Sequence, residues 1–190
     1  ATTNFERQFF QQDSEAARDR LVDETLTDIE TQRTSLERRN RIATQQYASD
    51  AITATEFLRQ RALVDAESRQ LADRLERVRT AAGTAPDYSL SPEQRFRLEN
   101  NRGVLRTYRG PISQRVSAET AGTTEPNAVY VEASSEGYML STVSDGRYAR
   151  ETYLGQDRDQ TATDQFAQTD DPLGAVNTRA ENLYPWLYGE

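Results

Sequence analysis

The chain has 190 residues, with 31 acidic and 23 basic side chains, for a formal net charge of −8. Every basic residue is Arg, and there is no His, Cys or Lys. That removes imidazole general bases, thiolate nucleophiles, Schiff-base and P-loop lysines, disulfides and the usual zinc ligands, and the acidic balance argues against general nucleic-acid binding.

Residues 1–82 contain neither Gly nor Pro, although the chain holds nine and six of them; the first are Gly83 and Pro86. A breaker-free run of this length predicts helix. Near its start, Phe5 and Phe9 are one helical turn apart, and with Phe10 they are candidates for contact with another subunit, or for packing within the chain. From Val22, the positions Leu26, Ile29, Arg33, Leu36, Asn40, Ala43 and Tyr47 follow in steps of four and three. From Phe57, the positions Arg61, Val64, Ser68, Leu71, Leu75, Val78 and Ala82 do the same. Two such stripes predict two helices zipped along a narrow coiled-coil-like seam. The first is expected to start at residue 4 or 14 and to end at 48. Ahead of Val22 the register shifts to Ala16, Ala17 and Leu21. Arg33 is expected to lean toward water, and Asn40 could fix register. Arg38, Arg39 and Arg41 form a small basic knot, expected to pair with carboxylates such as Glu37.

The turn is placed at 47–52, because Thr53 and Glu56 have capping-box spacing at the start of a new helix. That helix is expected over 54–82, with Gly83 as its stop. A short link makes the two helices antiparallel. Ser91 as N-cap and Pro92 as first helical residue open a third helix, with Phe96, Val104, Leu105 and Tyr108 expected on its apolar face. Gly110-Pro111 ends or kinks it, and a short continuation is expected from Ile112 to about Glu119.

Residues 121–127 read as a linker, after which the period changes to two. Strands are predicted over 128–134, 138–143 and 147–154, with Asp145-Gly146 as a hairpin turn. Tyr130, Tyr138, Tyr148 and Tyr153 decorate this meander, either as a recognition face or with alternate ones in the core. A polar loop spans 155–169. Its Asp157 and Asp159, followed by Thr161 and Thr163, resemble the start of a calcium loop, but Ala162 and Gln168 stand where the Gly and Glu belong, so no metal is expected. A last helix is predicted from Asp170 or Asp171, lined by Leu173, Val176, Ala180 and Leu183. The end is aromatic, and Tyr184, Trp186 and Tyr188 are further interface candidates.

The expected fold is α+β and mainly α: a long antiparallel helical hairpin with a third helix over 1–120, then a small domain over 121–190 with a three-stranded antiparallel meander and a C-terminal helix. Hydrophobic residues make up 35 % of the chain, low for a single thick globule. No run is long and apolar enough for a membrane helix. An acidic surface without Lys predicts a halophilic source, a haloarchaeon.

The turn segment Tyr47 to Leu58, the stretch Leu105 to Ile112 with Gly110-Pro111, the strand Val129-Tyr-Val-Glu132 and the terminal Leu183-Tyr-Pro-Trp186 together resemble a group of uncharacterised exported or surface proteins of haloarchaea. The resemblance carries no catalytic residues. It implies a mature chain, secreted or surface-anchored, with Ala1 past a removed leader, and often a further domain after the Tyr-Pro-Trp end. The expected function is a non-enzymatic extracytoplasmic structural or interaction protein without cofactors. It would self-associate, as a homo-oligomer or a filament, or bind another surface protein. The alternatives are a binding module using the Tyr-bearing sheet, an intracellular coiled-coil scaffold, and a hydrolase using two convergent carboxylates.

Overall fold

The computed structural model describes residues 4–120, 128–144 and 146–155, together with Thr178. The fold is α+β and mainly helical. Its elements are α1 (Asn4–Phe10), α2 (Glu15–Ala48), α3 (Ala54–Thr84), α4 (Pro92–Arg106), α5 (Pro111–Thr120), β1 (Val129–Ala133), β2 (Gly137–Ser144) and β3 (Arg147–Leu154).

The hairpin is formed by α2 and α3. Helix α2 has 34 residues, so it is about 50 Å long. Both stripes read from the sequence are its seam: Val22, Leu26, Ile29, Leu36, Asn40 and Ala43 are buried against Phe57, Arg61, Val64, Ser68, Leu71, Leu75, Val78 and Ala82. Arg33 sits at the seam's edge and pairs with Glu37, while Arg39 reaches Glu67 across the hairpin. Asp50 turns the chain with φ 58°, a left-handed conformation. Thr53 and Glu56 then form the full capping box: Thr53 Oγ1 accepts from Glu56 N, and Glu56 accepts from Thr53 N at 2.8 Å. Helix α3 runs past Gly83 to Thr84. It stops because Ala85, which precedes Pro86, is held extended at ψ 119°.

At the open end, α1 folds back so that Phe9 packs edge-on against Tyr88, with ring centroids 5.2 Å apart. Helix α4 lies along the open-end half of the hairpin. Its buried face is Gln94, Leu98, Asn101 and Leu105, and Arg97 is tied to Glu30 of α2. The expected Phe96 is instead 70 % exposed, because two polar residues, Gln94 and Asn101, occupy the inward stripe.

The sheet is an antiparallel meander in the order β1-β2-β3. Leu140 of its middle strand pairs with Val131 and with Glu151. Its inner face covers the turn end of the hairpin and α5, and Tyr138 and Leu140 join a core with Ala43, Phe57, Ala62, Ile112 and Val116. Tyr47 stacks on Phe57, which meets Tyr138 edge-on. The strands thus belong to a compact unit that runs from Ala1 to Gly155. The reason is this shared core. The expected C-terminal helix lies outside the described residues.

Candidate functional site

The seam periodicity places Arg61 inside the protein, at 1 % exposure. A guanidinium stays charged there and must find acceptors. Its Nη1 donates to Asn40 Oδ1 of α2 at 2.5 Å. Its Nη2 donates to the Tyr108 carbonyl at 3.1 Å, and to Ser113 Oγ and Glu151 Oε1 at 3.4 Å each. The Tyr138 ring covers the guanidinium, 4.7 Å from its centroid, a cation–π contact. One side chain thus joins α2, α3, α5, β2, β3 and the link after α4.

Glu151 reaches this hub because β3 alternates: Ala149, Glu151 and Tyr153 face in, and Arg150 and Thr152 face out. Helix α5 starts at Pro111, and the preceding Gly110 has no side chain to cap it. Gly110 O accepts the first helical bond, from Gln114 N, at 3.0 Å. Glu151 supplies the missing cap from another element. It accepts from Ser113 N at 2.9 Å and Ser113 Oγ at 2.6 Å, at the end of the helix where the dipole favours an anion. Asp65 does the same for Gly110 N, at 3.1 Å, while also holding Arg69 at 2.7 Å.

Two buried carboxylates therefore converge on Gly110. Among the described residues these are neighbouring acids, but neither is open or unpartnered. Asp65 is 1 % and Glu151 8 % exposed, and both are committed to backbone and guanidinium donors. The hub is a lock between elements. Burial also pushes the hydroxyls of Tyr138 and Tyr108 well above the ordinary tyrosine range, and Tyr108 is further raised by its contact with Tyr153.

The surface of the sheet opposite the lock has different chemistry. Tyr138 and Tyr153 turn inward and stack, with centroids 5.4 Å apart. Tyr130, Val143, Tyr148 and Leu154 are 61 %, 64 %, 66 % and 54 % exposed. Register places Val143 beside Tyr148, and Ser141 between Tyr130 and Arg150. Glu132 and Arg150 are exposed on the same face. The result is an aromatic and aliphatic surface bearing one acid and one base, carried on strands whose other side is fixed. Tyrosine, amphipathic and costing little entropy when ordered, is well suited to such a contact face.

Of the other sequence-derived candidates, Phe9 is fully buried within the chain, so it is not available to another subunit; the short helix α1 folds it onto Tyr88. Phe5 packs partly against the same core, and Phe10 is half exposed. Asp157, Asp159, Tyr184, Trp186 and Tyr188 lie outside the described residues. Among the described residues, no cluster of three or more acids could hold a metal, and no helix is long and apolar enough to cross a membrane. Sequence reasoning missed the lock. Arg61 was visible as a charge on a seam position, but Glu151 lies 90 residues away, and nothing local joins the two.

Residues 1–125 match the family model of a domain of unknown function, DUF7096. Residues 129–190 match a second model, a family of unknown function, DUF7094. No curated protein and no solved structure matches the chain.

Proposed function

We propose, for a chain that belongs to the domain family of unknown function DUF7096, that it is a non-enzymatic interaction protein whose outer sheet face contacts a second copy of itself. The single observation behind this reading is the exposed group Tyr130, Val143, Tyr148 and Leu154 on one face of a three-stranded sheet. Burying such side chains yields roughly 1.5–3 kcal/mol for each one fully removed from water. Glu132 and Arg150 make the face self-complementary: in a two-fold pairing, the acid of one copy can meet the base of the other. The buried Asp65 and Glu151 support the non-enzymatic part, since a substrate has no route to them.

The place of action belongs to the same proposal. An acidic surface whose only cations are Arg, with its resemblance to exported haloarchaeal proteins, supports a halophilic protein at the cell surface or outside the cell.

Light scattering in molar salt over a hundredfold range of concentration tests the contact. The chain should scatter as more than its 21.5 kDa monomer, and Val143→Arg should return it to the monomer without loss of helix. A strict monomer at every concentration overturns self-association. Recovery of the protein only from the cytosol of its source cells overturns the location.

A further inference from the structure

Helices α3 and α4 leave a groove of about 530 Å³ between them. Its size is that of a small-molecule site. Two small residues, Ala72 of α3 and Gly103 of α4, line it, and a Cβ added at Gly103 would meet nothing within 4 Å. The remaining lining residues are all charged.

The carboxylates are mostly spoken for. Glu76 accepts from Arg79 Nε at 3.0 Å, and Glu99 accepts from Arg102 Nη1 at 2.8 Å. The other lining charges are Asp73, Arg106 and Arg109. Neither arginine forms an ion pair within the described residues. Arg109 donates Nη2 to the Ser68 carbonyl at 3.1 Å, but its buried Nε has no acceptor among the described residues. Burial and the nearby Arg69 pull the Arg109 guanidinium below its ordinary value, against the opposing pull of Asp73 and Asp65. In most proteins such an arginine is matched by a carboxylate; here the groove is open beside it.

We infer that the groove between α3 and α4 binds a small oxyanion-bearing ligand, with Arg106 and Arg109 as its cationic partners and Gly103 leaving room for its body. A phosphate or a carboxylate group meets the requirement, since a guanidinium recognises both through paired N–H donors. The inference does not depend on the outer sheet face.

The test uses the full chain at constant ionic strength, with chloride replaced stepwise by inorganic phosphate in one arm and by acetate in the other. Thermal unfolding and calorimetric titration are the readouts. Either anion should raise the unfolding temperature saturably above the chloride baseline. A response to phosphate alone assigns a phosphate ester, and one to acetate alone assigns a carboxylate. A response to both supports the shared oxyanion chemistry. Arg106→Gln is exposed and leaves the fold intact, yet it should weaken binding about tenfold. Gly103→Leu should fill the groove and abolish the response, with the fold equally or more stable, because the helix gains a better former. The inference is overturned if neither anion differs from chloride, or if both variants bind as the parent does.

Discussion

Replacing Gly110 by Ala tests the lock through a single methyl group. The Cβ would fall inside the carboxyl group of Glu151, 2.6 Å from its Cγ. Gly110 has no left-handed backbone, so no strain of that kind enters. The cost arises only if Glu151 is pushed off Ser113 and Arg61. Breaking a buried charge pair so that one partner is stranded costs about 3–5 kcal/mol. That is a fall of about 6–20 °C in unfolding temperature for a chain of this size. Urea unfolding followed by helical circular dichroism measures it. The decisive experiment is the cycle with Glu151→Ala. Once the carboxyl group is gone, the added methyl has nothing to displace, and Gly110→Ala should cost less than about 0.5 kcal/mol. Additive losses in the double variant, or a harmless Gly110→Ala in the parent, would refute the claim that Gly110 is there to admit Glu151.

Two further outcomes follow from the titrating groups. The buried Tyr88, Tyr108 and Tyr138 all have folded values raised above the ordinary 10.0, with burial the largest cause. The stability they confer is complete below pH 10 and is lost as pH rises beyond it, because only the unfolded chain can ionise them there. Their tyrosinate absorbance at about 295 nm should therefore appear together with loss of helix, and ionisation of all nine tyrosines in an intact fold would contradict this. Glu30 behaves oppositely. Its hydrogen bonds from Arg97, and then Asn101, hold its carboxyl below the usual 4.5. Its contribution is present above pH 4.5 and is lost as the pH falls. Glu30→Gln should be less stable than the parent at pH 7, and the gap should close on acidification; a constant gap from pH 7 to 3 would show that the ion pair is not its source.

The hairpin was legible because its signal is local and repeated. Val22 to Ala43 and Phe57 to Ala82 keep a 4-3 spacing for several turns, and the capping box at Thr53 marks the turn between them. The same logic failed on α4, whose inward stripe runs through Gln94, Leu98, Asn101 and Leu105. Counting only apolar residues shifts that face onto Phe96. Gln94 and Asn101 turn inward because Asp19, Asp23 and Glu30 of α2 accept from them, which no single-helix pattern reveals. The end of α3 was placed at Gly83 by its permissive backbone, but the restriction that Pro86 imposes on Ala85 is the stronger signal. The tyrosine alternation was readable as an alternative and resolves by register: Tyr138 and Tyr153 go in, Tyr130 and Tyr148 go out.

A narrow seam in a chain with few apolar residues leaves open which level of one helix faces which level of the other. A displaced pairing could still bury alanines and leucines. It could not supply Arg61 with Asn40, the Tyr108 carbonyl and Glu151 at once, and an unpaired guanidinium in the core is costly. The same lock governs the sheet. Strand residues alternate between faces, so a shift of one residue in β3 exchanges its two sides. With Glu151 held at Ser113 and Arg61, Tyr148 and Arg150 have to point outward. Val143, paired with Tyr148 across the strands, then has to share their side. The buried charge that looks inert as chemistry thus determines which surface the protein presents.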